Sequence, residues 1–477
     1  MMILLAESSA PLRYKTAISG TNTAQKDFRP ILQNIKTIPE HLLDEKAERQ
    51  TLLVARLSGV PEPTNGPMAV LSEMEEVQMP YLDQFDMSSI KVPTTWNTDW
   101  LLEIIRQDSS VDYAYKQPKA EFFGVIPNDE DFENQTNLHD TINDVDVDAP
   151  EAWAYTTGSE NVVVAVLDGG LYINNLDLRP NLWVNEAELT GRPDMDDDNN
   201  GCIDDIHGCD LDISSGKNLA RTNPDHGTLV ASVLASRGND GYGIAGVAWN
   251  VRIMLLKGTT IDVYQYILKM KRQHRVNIRV LNFSGGFPNS CDPLFPNAHA
   301  YMTESQKLGE LMDEGVLFVQ AIGNGNINYN STSRESMQLD PGCHNLDNII
   351  VVAGQSETTR TRWMESSNYG SSYGNKIGDL YAPAFARVWR HFSAENALIR
   401  GGSSTSRATP HVSAAAALLW SFKPDLTVTE VRSALLDTVD RYDTFKEVNE
   451  EGIVTNTVAT GGALNIANAL YSVATPG

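Results

Sequence analysis

Three residues whose side chains can together attack a carbonyl group each stand beside a predicted secondary-structure element. Asp168 ends the apolar run VVVAVLD, His226 follows Asp225 at the start of a helical pattern, and Ser406 opens an alanine-rich run. A serine hydroxyl becomes nucleophilic when an imidazole takes its proton, and a carboxylate orients that imidazole. Singly, each residue has a structural explanation, as a turn, helix or cap residue. Together, in one chain, they indicate nucleophilic acyl chemistry.

That chemistry also needs donors for the negative oxygen formed by the attack. A helix begins with free N–H groups and a partial positive charge, so the Ser406 N–H can bind this oxyanion. Asn324, in AIGNGN at the end of another apolar run, is the expected second donor. We expect Asp225 to cap the helix of His226 and Thr405 to cap the helix of Ser406, with Pro410 in its first turn.

The elements that must position these residues alternate along the second part of the chain. Continuous apolar runs separated by helices predict a parallel sheet covered on both faces, an α/β three-layer sandwich with a mostly parallel central sheet. Sites form at the carboxyl ends of such strands, where Asp168, Ser284 and Asn324 stand. The runs are 161–168, 251–257, 279–285, 316–324 and 348–354, and the helical patterns are 225–236, 263–274, 300–315, 405–422 and 427–438.

The first part of the chain has a different pattern. Residues 1–44 indicate a loosely structured lead-in, 51–57 predicts a strand, and 97–122 predicts a capped helix followed by a strand. These elements suffice for a small α+β domain. The polar stretch 124–137 is typical of a linker.

Composition limits the partners. The 477 residues carry a formal net charge of −25, which argues against nucleic acid and anionic membranes. No apolar run is long enough for a membrane span, and the start MMILLAESSAPL is too short for a convincing signal peptide. The four cysteines, without a C-x-x-C motif, leave two disulfides or four buried thiols open.

The segments VVVAVLDGG, DHGTLVA and STSRATPHV resemble the three signature blocks of the subtilisin-like serine proteases, the subtilases. Further similarity covers GYGIAGVAWNVRIMLLK, LNFSGG, SSNYGSS and YAPA. The resemblance implies a triad of Asp168, His226 and Ser406, with Asn324 in the oxyanion hole. It also implies that Ser284, Gly285 and Gly286 pair with a protein or peptide substrate as an added strand.

The same resemblance gives residues 45–122 a role. Subtilase catalytic domains follow an inhibitory propeptide, which here would occupy 45–122, with the catalytic domain at 123–477. The chain is then a monomeric zymogen inhibited by its own propeptide, and cleavage within 117–127 releases the serine endopeptidase. Despite the weak leader, a secreted or extracytoplasmic location is expected.

Three positions depart from the family pattern. Gly169 follows Asp168 where Thr or Ser is usual, Ser404 replaces a Gly, and Arg407 replaces the Met after the nucleophile. A fourth difference is Phe287, where a second Gly often stands. The departures keep two alternatives open: a catalytically silent peptide-binding protein of the same fold, and a specialised processing or transamidating protease.

The acidic segment DMDDDNNGCIDDIHG (194–208) resembles the first part of an EF-hand loop, but His207 stands where the bidentate Glu belongs. Similar loops bind calcium in subtilases, and a solvated acidic loop is the alternative. The predicted structural Ca²⁺ ligands are Asp196, Asp198, Asn200, the Cys202 carbonyl, Asp204 and Asp205. Cys202 and Cys209 flank this loop and could form a disulfide. The resemblance suggests a second bridge between Cys291 and Cys343.

Overall fold

The computed structural model divides the chain into two compact units, residues 1–121 and 122–477. The first unit contains a three-stranded antiparallel sheet in the order β2-β1-β3. Its strands are β1 (Arg49–Arg56), β2 (Met87–Pro93) and β3 (Val111–Lys116). The structure describes residues 49–56, 87–93, 102, 106, 111–116, 124–219, 224–286, 298–331, 339, 341–344, 346–392, 395–400, 402–448 and 453–474.

Both strands predicted for the first unit are present, as β1 and β3. The lead-in predicted at 1–44 and nearly all of the helix predicted after residue 97 lie outside the described residues. Leu102 and Ala114 are buried.

The second unit is built on a nine-stranded sheet in the order β15-β18-β12-β9-β8-β7-β4-β6-β5. Every neighbouring pair is parallel except β15 with β18. The strands of this unit are β4 (Val163–Leu167), β5 (Gly208–Asp210), β6 (Arg252–Lys257), β7 (Ile278–Phe283), β8 (Leu317–Ala321), β9 (Ile349–Gln355), β10 (Met364–Ser366), β11 (Tyr369–Gly370), β12 (Leu380–Pro383), β13 (Arg387–Phe392), β14 (Glu395–Arg400), β15 (Asp440–Arg441), β16 (Lys446–Val448), β17 (Val454–Asn456) and β18 (Gly462–Ala463).

Helices cover both faces of the sheet, as the sequence predicts. Along β4, Val164 and Val166 face one apolar cluster, whereas Val163 and Ala165 face the other, because successive strand residues point to opposite faces. The helices are α1 (Ala149–Trp153), α2 (Glu186–Leu189), α3 (Pro224–Ala235), α4 (Thr260–Arg272), α5 (Ala298–Asp313), α6 (Thr405–Phe422), α7 (Val428–Asp437) and α8 (Ile466–Ala474). The mostly parallel α/β fold is therefore confirmed.

The alanine-rich helix α6 packs directly against the sheet. Ala414, Ala415, Ala416 and Ala417 are fully buried in the first apolar cluster, together with residues of α3, α7 and α8. Small side chains allow this close approach. Helices α4 and α5 contribute to the second cluster, on the other face.

The polar stretch 124–137 is not a linker. Phe132, Gln135 and Asn137 are buried within the second unit. The Gln135 side chain both donates to the Ala245 carbonyl and accepts from the Ala245 N–H, at 2.7 and 2.8 Å. Polar residues here satisfy backbone groups of another loop, which a composition-based prediction cannot distinguish from solvation. Among the described residues, none of the helices has both the length and the apolarity needed to cross a bilayer.

Candidate active site

The sheet brings Asp168 and His226 into contact. Asp168 directly follows β4, and His226 is the third residue of α3. His226 Nδ1 lies 2.8 Å from Asp168 Oδ2. This hydrogen bond raises the pKa of His226, burial opposes the rise, and the Arg407 charge also lowers that pKa. The contact fixes which imidazole nitrogen faces the carboxylate and leaves Nε2 for other chemistry.

The N-terminal caps differ from those predicted. Helix α3 begins at Pro224, so Asp225 lies inside its first turn and is not the cap. Helix α6 is capped by Ser404, whose side chain makes no capping bond, and Thr405 is already helical. The capping acceptor comes from the loop after β8, because Asn324 Oδ1 accepts from the Thr405 N–H at 2.8 Å and from its hydroxyl at 3.0 Å.

The Asn324 side-chain oxygen accepts hydrogen bonds from Thr405, so its amide NH₂ is the group that remains to act as a donor. Asn324 lines the same cavity as Ser406, with a volume of about 320 Å³. The predicted neighbourhood of Asn324 and Ser406 is therefore present in the structure.

Pro410 is the sixth residue of α6 and lies in its second turn, not in the first. A proline there has no N–H for the carbonyl four residues earlier, which is that of Ser406. The Ser284 hydroxyl supplies this missing donor, at 3.0 Å from the Ser406 carbonyl. In return, the Ser406 hydroxyl donates to the Ser284 carbonyl at 3.1 Å. Ser284 thus anchors the start of α6 and holds the Ser406 hydroxyl.

The departures from the family pattern have visible consequences. Ser404 has φ −164° and ψ 156°, an extended conformation that any residue adopts, so the loss of a glycine strains nothing there. The Gly169 N–H donates to Asp168 Oδ1 at 2.7 Å. Arg407 is buried, with 5% of its surface exposed, close enough to His226 to affect its pKa. Phe287 lies outside the described residues.

Two cavities meet at the segment Ser284–Gly286. The larger, of about 510 Å³, also includes Asp168 and His226. The smaller, of about 320 Å³, also includes Asn324 and Ser406. The backbone that the resemblance assigns to substrate pairing therefore lies between the two halves of the predicted site.

The acidic loop brings three carboxylates together, of which Asp196 and Asp198 were predicted as calcium ligands and Glu188 was not. Carboxylate oxygens of Glu188, Asp196 and Asp198 lie within 4.8 Å of one another. Glu188 is in α2, before the predicted motif, and no sequence signal marked it. Its carboxylate accepts from the N–H groups of Asp197 and Asp204, at 2.7 and 2.9 Å, and burial raises its pKa.

The other predicted ligands surround this group. Asn200 Nδ2 donates to Asp198 and Asp205, at 3.0 and 2.8 Å, and burial raises the pKa of Asp205 to about 7. Asp204 forms an ion pair with Lys217 at 2.9 Å. Cys202 is buried and bonded to Cys209, so that predicted disulfide is confirmed.

The second predicted disulfide is only partly described. Cys343 is disulfide-bonded, whereas Cys291 lies outside the described residues.

The structure contains a pair of buried carboxylates that the sequence patterns did not predict. Asp129 Oδ1 and Asp177 Oδ1 are buried and have no hydrogen-bond partner among the described residues. Burial raises the pKa of both groups, that of Asp177 to about 7. Such oxygens could accept a cation or a proton. The two residues are 48 positions apart in separate loops, so no local motif reveals the pair.

Comparisons with known proteins show which family the chain resembles. The chain is 26% identical over 337 residues to Subtilisin-like protease 1 of Plasmodium berghei and 27% identical over 303 residues to that of Plasmodium falciparum. The alignments cover 66% and 60% of this chain but 50% and 41% of those relatives, so the chain spans half of their length or less.

A solved protease structure from Pseudoalteromonas arctica is 26% identical, with a TM-score of 0.50, covering 72% of this chain and 99% of that one. The family model described as "Subtilase family" matches residues 159–461, more than half of the chain. The chain therefore belongs to the subtilase family of serine proteases.

Proposed function

We propose that the protein is a serine endopeptidase that cleaves peptide bonds through an acyl-enzyme. The observation that carries this proposal is the 2.8 Å contact between His226 and Asp168, at the sheet edge that also holds Ser406 and Asn324. His226 Nε2 takes the proton of the Ser406 hydroxyl as that oxygen attacks the scissile carbonyl. The same nitrogen then returns the proton to the leaving amine. Water hydrolyses the resulting ester by the reverse sequence.

The attack requires one local rearrangement. The Ser406 hydroxyl bonds to the Ser284 carbonyl, and among the described residues no hydrogen bond joins it to His226. Because catalytic hydrogen bonds are often loose before substrate binds, rotation of Ser406 toward His226 belongs to the proposed mechanism. Substrate main chain competes for the Ser284 backbone when it pairs with Ser284–Gly286.

Two donors serve the oxyanion in this mechanism. The Ser406 N–H lies at the start of α6, where N–H groups lack helical acceptors. The Asn324 NH₂ is aimed by the bonds that its oxygen makes to Thr405. Donors fixed in this way stabilise charge without reorganising during the reaction.

Residues 45–122 are proposed to be an inhibitory propeptide, removed by self-cleavage within 117–127. The observation in favour is that the chain divides between Glu121 and Phe122 into two compact units. A zymogen of this type matures only if its own serine is active.

A structural Ca²⁺ is proposed for the acidic loop, held by Glu188, Asp196 and Asp198. Calcium prefers clustered oxygen ligands, and these carboxylates supply three within 4.8 Å. The cation would neutralise the repulsion that also raises the pKa of Glu188, to which Asp198 contributes.

A fluorophosphonate probe tests the enzyme proposal, because it labels only an activated serine. We expect labelling of Ser406 in the wild-type protein and none in Ser406→Ala, which also stays as an unprocessed chain of full length. The absence of labelling in wild type, with peptide binding retained, would favour the silent peptide-binding alternative. Product masses in the presence of an amine nucleophile separate hydrolysis from transamidation, since both use the same acyl-enzyme.

A further inference from the structure

The larger cavity, beside His226, is lined in part by charged residues that have no role in the proposed catalytic steps. Besides Asp168 and His226, the ionisable residues in the described part of its lining are Asp212 and Lys257. Lys257 ends β6, and Asp212 lies two residues after β5 ends at Asp210. The two strands are paired in parallel, with Asp210 opposite Lys257. The sheet therefore delivers both chain segments to the rim of the cleft.

The three side chains form a fixed cluster. Lys257 Nζ lies 2.9 Å from Asp210 Oδ2 and 3.3 Å from Asp212 Oδ2. The Asp210 side chain is 1% exposed and the Asp212 side chain 51% exposed. A hydrogen bond from the Leu211 N–H to the Lys257 carbonyl, at 2.8 Å, holds the segment between Asp210 and Asp212. Asp212 is thus the carboxylate that a ligand in the cavity can reach.

The cluster has an excess of negative charge. Its hydrogen bond to Asp210 raises the pKa of Lys257, so the ammonium stays charged, and one cation faces two carboxylates for a net charge of −1. Asp168 adds a negative charge whenever His226 is neutral. Neither Arg407 nor Asp210 lines this cavity, but the described lining by itself also sets Asp168 and Asp212 against Lys257, a net charge of −1 when His226 is neutral. A cationic ligand group is therefore favoured over a neutral or anionic one.

The position of a substrate side chain in this cavity follows from strand geometry. Successive side chains of an extended peptide point to opposite sides, and both cavities border Ser284–Gly286. The residue that carries the scissile carbonyl must place its side chain in the smaller cavity, which holds Ser406 and Asn324. The residue before it then faces the larger cavity, which holds His226.

The smaller cavity has a different character. Among the described residues that line it, none is an aspartate, glutamate, histidine, lysine or arginine. The apolar residues that line it include Ile322, Ile327 and Leu339. An uncharged side chain therefore fits at the scissile residue.

We propose that the protein selects peptides in which a lysine or arginine stands immediately before the residue that carries the scissile carbonyl, and in which that second residue is uncharged. Asp212 binds the basic side chain. This specificity rests on the endopeptidase function proposed above. It names a substrate class for that site.

The chain itself contains such a sequence. In the segment 116–127, KQPKAEFFGVIP, the basic residues are Lys116 and Lys119. A cut after Gln117 would leave Pro118 as the amine side of the bond, which has no N–H and a fixed φ. The remaining bond that fits the proposed sequence is that between Ala120 and Glu121, where Lys119 immediately precedes the scissile Ala120. Its hydrolysis adds water, giving a carboxylate on Ala120 and a free amine on Glu121.

Maturation of the full chain tests the self-cleavage part. We expect sequencing of the matured protein to begin at Glu121, and we expect Lys119→Glu to slow this cut more than the neutral Lys119→Met. A first cut at a bond without a basic residue two positions before it, or equal rates in both variants, would overturn the assignment.

Added peptides that compete for the enzyme test the pocket separately from self-cleavage. Peptides that differ only at the residue before the scissile alanine, as lysine, norleucine or glutamate, are mixed and their kcat/KM ratios measured. We expect lysine to be favoured over norleucine about five-fold, an effect typical of one exposed charge pair, and glutamate to be least favoured. Asp212→Asn should bring the lysine-to-norleucine ratio close to one, as should raised salt.

Asp437→Asn is the matched control, because Asp437 is exposed at the end of α7 and lines neither cavity. It should keep the wild-type ratio. A wild-type ratio of one, or a ratio unchanged in Asp212→Asn, would overturn the specificity while fluorophosphonate labelling of Ser406 upheld the protease. No labelling and no cleavage of any peptide would remove both proposals.

Discussion

The proposed catalytic cluster and the acidic loop are both rich in polar side chains, but they are assembled in different ways. Asp168 and His226 are 58 residues apart, and Ser284 and Ser406 are 122 apart. In the acidic loop, by contrast, Glu188 accepts from the N–H of Asp204 only 16 residues away. One site depends on the whole sheet, and the other on one short stretch of chain, residues 188–205, with the Cys202–Cys209 disulfide at its end.

The two regions also differ in charge balance. The Asp168 carboxylate has His226 as its partner, and the Ser406 hydroxyl and carbonyl are both bonded to Ser284. In the acidic loop three carboxylates lie together, bonded mainly to neutral N–H groups. In the first region these polar groups are paired within the protein. The second has a surplus of negative charge that an external cation would balance.

The sharpest test of this contrast removes the charge of Asp168. In Asp168→Asn the side chain still reaches His226 but favours the wrong imidazole tautomer, so we expect kcat to fall about 10⁴-fold with little change in melting temperature. Kinetics with one peptide and a melting curve measure both effects. A loss of less than ten-fold would mean that the Asp168–His226 contact is only structural.

The oxyanion donor is tested by a variant that keeps the cap. Asn324→Asp retains an oxygen for the Thr405 N–H but replaces the NH₂ by a repelling carboxylate, so kcat should fall about 10²–10³-fold. Thr405→Val is the control, because it removes only the hydroxyl bond to Asn324. Equal losses in the two variants would assign Asn324 to capping alone.

Removal of calcium should affect stability more than chemistry. A cation present at about 100 times its Kd stabilises by about 2.7 kcal/mol, which corresponds to about 4 °C in Tm for a unit of this size. We expect a chelator to lower the wild-type Tm by that amount, and to leave the Tm of the double variant Asp196→Asn/Asp198→Asn unchanged. Calorimetric titration with Ca²⁺ that shows equal binding in both proteins would contradict the assignment.

The smallest predicted effect concerns Arg407. His226 acts as a base when neutral, and its pKa is raised by Asp168 and lowered by the Arg407 charge, with Asp225 raising it slightly. Arg407→Met removes the lowering, so the pKa rises and the acidic limb of the kcat/KM profile moves to higher pH. Arg407→Lys should keep the wild-type limb. A shift to lower pH in Arg407→Met would show that the charge acts in another way.

The strands of the sheet could be predicted from the sequence, whereas the contacts at the start of α6 could not. The strands that end near Asp168, Ser284 and Asn324 were predictable, because buried parallel strands are continuous apolar runs. The cap of α6 was not, since its acceptor is the distant Asn324. Likewise, no local pattern predicts that the Ser284 hydroxyl replaces the donor that Pro410 removes from the second turn of α6.

The sequence by itself determined which residues are available for chemistry, the mostly parallel α/β fold and the local Cys202–Cys209 loop, because each is encoded in short-range patterns. The tertiary structure decided which side chains meet. It added Glu188 to the acidic loop, bonded the Ser406 hydroxyl to Ser284 and set Asp212 beside Lys257 at the rim of the cleft. Each of these contacts joins separate segments, and only the packing of strands and helices fixes their distance.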